Sequence, residues 1–122
     1  MIDCLGCRLN KTKECTIFSG EFWMLDVAYN IGCDGLLFLR SKRHVENISN
    51  LDKKESEEMG ILLREGVEIS KQISGSDKIV VFQLGFDVDH LHFWIFPVKK
   101  ENKKLFGELR ESVTDLANFY RD

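Results

Sequence analysis

The chain has little of what marks membrane, secreted or nucleic-acid-binding proteins. No apolar run approaches the ~18 residues that a membrane span needs, and the N-terminus lacks the basic and apolar stretches of a signal peptide. The formal net charge is −3, so no positive excess attracts nucleic acid or an anionic membrane. We therefore expect a cytoplasmic protein that binds neither nucleic acid nor membrane.

Internal repeats, low-complexity segments and linkers rich in proline, glycine or serine are also missing. The 122 residues suffice for a hydrophobic core, and 43% hydrophobic with 30% charged residues is ordinary for a globular protein. Residues 1–122 are expected to form one domain. With only four cysteines, thiolate chemistry or metal binding explains these residues better than a disulfide framework does.

Short alternating segments predict a β-sheet. A hairpin is expected around Gly20, with strands at residues 16–19 and 22–25, and further strands at 36–39, 78–83 and 92–96. The 36–39 strand is expected to be buried and to end in a basic turn that starts at Arg40. Strands joined by short turns favour an antiparallel arrangement.

Two segments have helical spacing. Asp52 with Glu55 three residues later predicts a capping box, and Gly75 is expected to end this long helix. Residues 103–120 predict a C-terminal helix. The apolar stripe of the long helix is expected to contain Met59, Leu62, Leu63, Gly66, Val67, Ile69 and Ile73. Helices that cover an antiparallel sheet define an α+β fold.

The most informative stretch is 90–97, which holds two of the three histidines. On a strand, His90, His92 and Trp94 would share one face, and Leu91, Phe93 and Ile95 would face a core. Two imidazoles on a half-buried strand are costly without partners. They are therefore candidates for metal binding or catalysis.

Cys4 and Cys7 form a C-x-x-C pair, which is typical of half a tetrahedral zinc site. His44 and His90 would complete four ligands, in a closed structural site that contributes to folding. A redox motif would need a preceding strand and a following helix, and neither fits here. The alternative is that the two thiols are simply buried.

His92 remains outside this metal set. If a backbone carbonyl fixes one ring nitrogen, the other nitrogen is a nucleophile suited to attack phosphorus. The alternative is a core histidine that donates to a carbonyl. Basic residues at 40–43 and 99–104 could attract phosphate, although such charge runs are commonly just a solvated face.

Three features together resemble the histidine triad (HIT) superfamily of nucleotide hydrolases and transferases. They are the Cys4/Cys7 start, the Gly35-to-Val45 stretch that ends in Lys-Arg-His-Val, and the His-Leu-His-Phe-Trp-Ile-Phe-Pro run from His90. The long capped helix falls where this family has one. The resemblance extends over most of the chain.

The resemblance implies a five-stranded antiparallel sheet and a homodimer that binds a purine nucleotide or dinucleoside polyphosphate. It implies structural Zn²⁺ on Cys4, Cys7, His44 and His90, and a nucleotidyl-histidine intermediate on His92. Substrate contacts are implied at Asp26, which would hold the ribose, and at Gln83 and Trp94. The activity implied is hydrolysis or transfer at the α-phosphate of a dinucleoside polyphosphate or a nucleoside phosphoramidate.

The chain departs from the family pattern at several positions. Trp94 replaces the third signature histidine and offers one N–H donor without a proton relay. Leu36 replaces another frequent histidine, and the segment 83–89 is short and acidic, so that Asp87 and Asp89 would repel a polyphosphate. Besides an enzyme, the sequence is therefore compatible with a nucleotide-binding module without turnover, or with a zinc-stapled dimeric interaction protein.

Overall fold

The computed structural model of the protein describes residues 15–28, 33–83 and 89–99. These residues form five strands and one long helix, which confirms the predicted α+β class. The strands are β1 (Thr16–Ser19), β2 (Trp23–Val27), β3 (Leu37–Ser41), β4 (Ile79–Phe82) and β5 (His92–Pro97), and the helix is α1 (Lys53–Ser74). The helix predicted at 103–120 lies outside the described residues.

All pairings in the sheet are antiparallel, in the order β1-β2-β3-β5-β4. β5 therefore lies between β3 and β4, although both precede it in the chain. Because α1 connects β3 to β4, it crosses the sheet and packs on one of its faces. The predicted hairpin is confirmed, with its second strand one residue later than expected and extending to Val27.

β3 is longer than the sequence predicts. Arg40 and Ser41 were expected in the basic turn after the strand, but they belong to the strand and are 4% and 0% exposed. The pairings of Arg40 with Met24 and His92 keep the strand regular to this point. The expectation failed because the backbone pairing of a central strand outweighs the preference of one basic side chain for water.

The start and end of α1 are as predicted. The Asp52 carboxylate accepts the Glu55 N–H, the Glu55 carboxylate accepts the Asp52 N–H, and Gly75 ends the helix in the left-handed region at φ 71°. The predicted stripe is wrong at Ile73, which is 50% exposed. Instead the small residues Ser70 and Ser74 complete the buried side of the last turns.

The core lies between α1 and the sheet. The prediction that Leu91, Phe93 and Ile95 face it is confirmed. Gly66 lets α1 approach closely, because a Cβ atom there would lie 2.5 Å from Ile95 Cδ1. The buried members of the core are Trp23, Leu25, Leu37, Leu39, Val45, Leu62, Leu91, Phe93 and Ile95.

A carboxylate on α1 holds the β1–β2 turn, which is remote from it in the sequence. Glu58 accepts the backbone N–H groups of Glu21, Phe22 and Trp23 at 3.2, 2.9 and 3.0 Å. Three charge-assisted hydrogen bonds to one side chain hold the turn against the helix. Within the described ranges, no helix combines the length and apolar character needed to cross a bilayer.

Candidate functional site

The predicted nucleophile lies on the face of the sheet opposite α1, which we call the histidine face. Paired residues of neighbouring antiparallel strands project to the same side. The pairings give this face two rows of side chains across the sheet. The first row is Met24, Arg40 and His92, and the second is Asp26, Phe38, Trp94 and Phe82.

His92 opens β5 and is partly exposed. Its Nδ1 lies 2.8 Å from the backbone oxygen of His90. Because a carbonyl oxygen only accepts, Nδ1 carries the proton in the neutral ring and Nε2 carries the lone pair. The hydrogen bond therefore has the form that the nucleophile hypothesis requires.

Trp94 lies within an aromatic cluster beside His92. Its ring is parallel to that of Phe82, at 6.2 Å and 7°, and meets Phe38 edge-on with ring centres 4.1 Å apart. The His92 ring is 6.4 Å from the Trp94 ring. The position of a third histidine is thus occupied by an aromatic side chain packed between two phenylalanines, and this side chain has no acceptor atom.

Asp26, the residue expected at the ribose, makes a buried ion pair with Arg40. Its other oxygen accepts a hydrogen bond of 2.8 Å from Thr16 Oγ1 on β1. The second terminal nitrogen of Arg40 lies 3.6 Å from Met24 Sδ. The carboxylate therefore has one partner on each oxygen, and each oxygen retains capacity for a further donor.

The two histidines of the predicted metal set come together. The rings of His44 and His90 meet edge-on with centres 5.3 Å apart, although 46 positions separate them in the chain. Two imidazoles on one tetrahedral zinc ion would have ring centres about 5 Å apart, from Zn–N bonds of ~2.0 Å. The pair thus has the spacing of two ligands of one zinc ion.

His90 is 2% exposed, and its Nε2 lies 2.6 Å from the Ser41 oxygen. Because a carbonyl oxygen only accepts, Nε2 carries the proton in the neutral ring. Nδ1 then carries the lone pair that a metal ion would bind. Burial lowers the pKa of the His90 imidazole, against the opposing effect of the Ser41 hydrogen bond. The neutral ring is the form that binds a metal ion.

A fork of hydrogen bonds fixes the turn that carries His44. Arg43 donates from Nε and Nη2 to the Glu55 carboxylate at 3.1 and 2.7 Å, and from Nη2 to the Asn50 oxygen at 2.8 Å. The hydrogen bond from Arg43 lowers the pKa of Glu55. The turn before α1 and the helix N-terminus are therefore held as one unit.

The other predicted site residues are less informative. Gln83 is exposed and directly follows β4. Cys4, Cys7 and Asp87 lie outside the described residues, and Asp89 is exposed. Within 15–28, 33–83 and 89–99, no three His, Cys, Asp or Glu side chains form a group that could hold a metal ion.

Sequence reasoning missed three residues that shape this region. Arg40 was assigned to a basic turn after the strand, although continued strand alternation from Phe38 would have placed it on the histidine face. Glu55 was recognised only as a cap, since nothing local links it to Arg43. Glu58 gave no signal, because its partners are backbone groups more than thirty positions away.

Comparison with known proteins identifies the fold. No protein-family model matches the chain, and no curated protein matches it. Solved structures do match, among them a HIT-like protein involved in cell-cycle regulation from Bartonella henselae, at 17% identity and a TM-score of 0.70. That match covers 80% of this chain and 81% of the other.

Two further matches agree. A hypothetical histidine triad nucleotide-binding protein from Sulfolobus tokodaii matches at 17% identity and a TM-score of 0.69, over 80% of this chain and 70% of that one. Plasmodium falciparum diadenosine triphosphate hydrolase matches at 18% identity and a TM-score of 0.64, over 70% and 62%. The chain has the HIT-like fold, so the predicted resemblance is confirmed for the fold.

Proposed function

We propose that the protein binds a nucleotide on the histidine face and that His92 attacks its α-phosphorus. The observation that carries the proposal is the hydrogen bond from His92 Nδ1 to the His90 carbonyl, which orients the ring and leaves the lone pair on Nε2. The partial exposure of His92 gives a ligand access to this ring. A histidine that served only to fill the core would be buried instead.

The fold neighbours support this class of chemistry. One is described as nucleotide-binding and another as a diadenosine triphosphate hydrolase. Because the HIT-like fold places His92 and the aromatic cluster on one sheet face here, we extend nucleotide binding to this chain. The preferred substrate in our proposal is a purine dinucleoside polyphosphate.

The first chemical step forms a covalent intermediate. The Nε2 lone pair makes a P–N bond to the α-phosphorus, while the bond from phosphorus to the leaving oxygen breaks and its electrons depart with the leaving group. The ring becomes cationic as this bond forms. The His90 carbonyl, which accepts a hydrogen bond from Nδ1–H, stabilises that charge.

In the second step, water attacks the same phosphorus and the P–N bond breaks. The nucleoside monophosphate leaves, Nε2 regains its lone pair, and the proton of the attacking water passes to solvent. Trp94 can donate a hydrogen bond but cannot give up a proton. A polyphosphate, which leaves without protonation, therefore suits this site better than the amine of a phosphoramidate.

We further propose a structural zinc ion held by Cys4, Cys7, His44 and His90. The 5.3 Å spacing of the His44 and His90 rings supports it. Zinc there would attach the N-terminal segment to the turn after β3 and to the start of β5. A homodimer is proposed from the resemblance to the fold family alone.

A nucleotide-binding module without turnover is the second candidate. It is favoured by the packing of Trp94 between Phe38 and Phe82, because Trp94, unlike a histidine at this position, cannot relay a proton. In this case the ligand would stabilise the fold without being consumed.

The test compares the wild-type protein with His92→Ala on a panel of dinucleoside polyphosphates and an adenosine phosphoramidate. We expect nucleotide release by the wild type, faster with polyphosphates, and background rates with the variant. Trapped covalent nucleotide on His92 would identify the intermediate. Thermal stabilisation by nucleotide without release would favour the binding module, and no response at all would leave an interaction protein.

Zinc is tested separately by metal analysis of the purified protein. We expect about one zinc ion per chain, as in a closed four-ligand site. Cys4→Ser and His44→Ala should lower both metal content and melting temperature, whereas Cys15→Ser should leave the metal content unchanged. A metal-free wild type of undiminished stability would remove the site from the proposal.

A further inference from the structure

We infer that Ser41 is a positioning residue for His92, which it orients through the chain segment just before β5. The inference rests on the proposed nucleophilic role of His92 and adds a residue to the same site. Ser41 is the last residue of β3 and is completely buried. Its effect is on the hydrogen bond that holds the His92 ring.

The peptide group between His90 and Leu91 is held at both of its ends. Its carbonyl oxygen accepts a hydrogen bond from His92 Nδ1 at 2.8 Å, and its N–H donates to the Val45 oxygen at 2.8 Å. A peptide group is planar and rigid, so the direction of its N–H also sets the direction of its carbonyl oxygen. The orientation of the His92 ring therefore depends on where the turn after β3 places Val45.

Ser41 fixes the position of this peptide group from two sides. Its hydroxyl donates to the Arg43 oxygen at 2.8 Å and so shapes the turn that leads to Val45. Its main-chain N–H donates to the Leu91 oxygen at 3.2 Å, and its main-chain oxygen accepts from His90 Nε2 at 2.6 Å. One buried residue thus links the turn after β3 to the two residues that form the peptide group.

The hydroxyl is the part of Ser41 that a substitution can test. The Leu91 oxygen lies 3.4 Å from it, against 2.8 Å for the Arg43 oxygen, so its one proton belongs mainly to the turn. Without the hydroxyl, the Arg43 oxygen loses this donor and the turn loses an internal restraint. The His90 carbonyl would then meet His92 Nδ1 less directly, and the form of the ring with its proton on Nε2 would gain population.

The test measures the tautomer of the His92 ring by ¹⁵N NMR in the full-length protein, at about pH 8, where histidine side chains are mostly neutral. We expect the wild type to hold the proton on Nδ1. Ser41→Ala should lower the ratio of the Nδ1–H form to the Nε2–H form by about 3- to 10-fold, the equivalent of weakening one hydrogen bond. Ser41→Thr keeps the hydroxyl and should restore most of the ratio. With a dinucleoside polyphosphate, kcat should fall in step with the ratio while KM stays the same.

Two further variants complete the experiment. Ser56→Ala is the matched control, because it removes a similar hydroxyl bond of 2.9 Å, to the Asp52 oxygen at the exposed start of α1. It should leave the tautomer ratio of His92 unchanged. Arg43→Gln loosens the turn after β3 by removing a side chain that is 53% exposed, so it should lower the ratio even if Ser41→Ala does not fold.

A purely structural role for Ser41 predicts a different result. If Ser41→Ala lowers the melting temperature while the tautomer ratio of His92 stays at the wild-type value, the inference is wrong. A wild-type ratio in Arg43→Gln, or an equal loss in Ser41→Thr and Ser41→Ala, would also contradict it. If the wild type releases no nucleotide, the proposed function fails, whereas the tautomer ratio, which needs no substrate, still decides on Ser41.

Discussion

The two faces of this sheet use buried residues in different ways. The face under α1 is apolar, and its strands contribute Leu25, Leu39, Phe93 and Ile95 to one continuous cluster. The histidine face alternates with it residue by residue, yet it holds an ion pair, an imidazole and three aromatic rings. One set of strands therefore provides both the stability of the fold and its candidate chemistry.

The comparison shows how polar groups are tolerated in the sheet. On the α1 side, the Glu55 and Glu58 carboxylates accept several N–H groups each, and the buried Ser70 and Ser74 hydroxyls donate to backbone oxygens. On the histidine face, Asp26 and Arg40 are buried in the middle of the sheet and satisfy each other. Burying two charges in that position costs desolvation free energy, which their direct pairing offsets.

The largest expected effect is found by truncating one aromatic side chain on each face of the sheet and comparing the loss of stability. Phe93→Ala, under α1, should lower the free energy of unfolding by about 3–5 kcal/mol, because it opens a cavity beside Trp23. Phe38→Ala, on the histidine face, should cost clearly less and should weaken nucleotide binding. Denaturant unfolding and calorimetry check both effects, and equal costs would show that the faces do not differ in this way.

A smaller effect is expected where the turn of Arg43 meets the α1 side. Glu55→Gln should lower the free energy of unfolding by about 1–3 kcal/mol at pH 7, because a buried carboxylate with charged hydrogen bonds is lost. Solvent weakens the contribution of Arg43, whose side chain is 53% exposed. Glu57→Gln, which disturbs only an exposed contact of 4.0 Å to Lys53, is the control and should cost little.

The same variant has a defined pH dependence. The pKa of Glu55 is lowered in the folded state, mainly by Arg43, so its contribution to stability is complete above the unfolded pKa near 4.5. It is lost as pH falls through the folded pKa, because the unfolded chain then takes up the proton first. The difference between wild type and Glu55→Gln should therefore shrink below pH 4.5, and a difference that is constant down to pH 3 would contradict this.

The smallest expected effect tests how closely α1 approaches the sheet. Gly60→Ala meets no atom within 4 Å and should raise the free energy of unfolding by about 0.5–1 kcal/mol, through better helix propensity. Gly66→Ala places a methyl group against Ile95 and should instead lower it by about 1–2 kcal/mol, through overpacking. Thermal unfolding of both variants measures these changes. If both variants were more stable than the wild type, the core around Ile95 would have relaxed to accommodate the added methyl group.

Much of the architecture could be predicted because its causes are local. The capping box of Asp52 and Glu55, the left-handed Gly75 and the alternation of Leu91, Phe93 and Ile95 all depend on neighbours a few positions away. The errors have the same explanation in reverse. Ile73 has helical spacing but faces solvent, because Ser70 and Ser74 occupy the side of that turn that packs against Gly35. Ser70 donates to the Gly35 oxygen, and a Cβ atom at Gly35 would lie 3.0 Å from Ser74 Cβ.

The sequence by itself determined the α+β class, the capped helix, the hairpin and the identity of the residues able to do chemistry. Only the tertiary structure decided which of them meet: His44 beside His90, Arg40 across from His92, and Arg43 on Glu55. The physical reason is that periodicity and capping are set by the adjacent backbone, whereas the pairing of distant side chains depends on strand order and register. Those arise when the whole chain buries its apolar surface together.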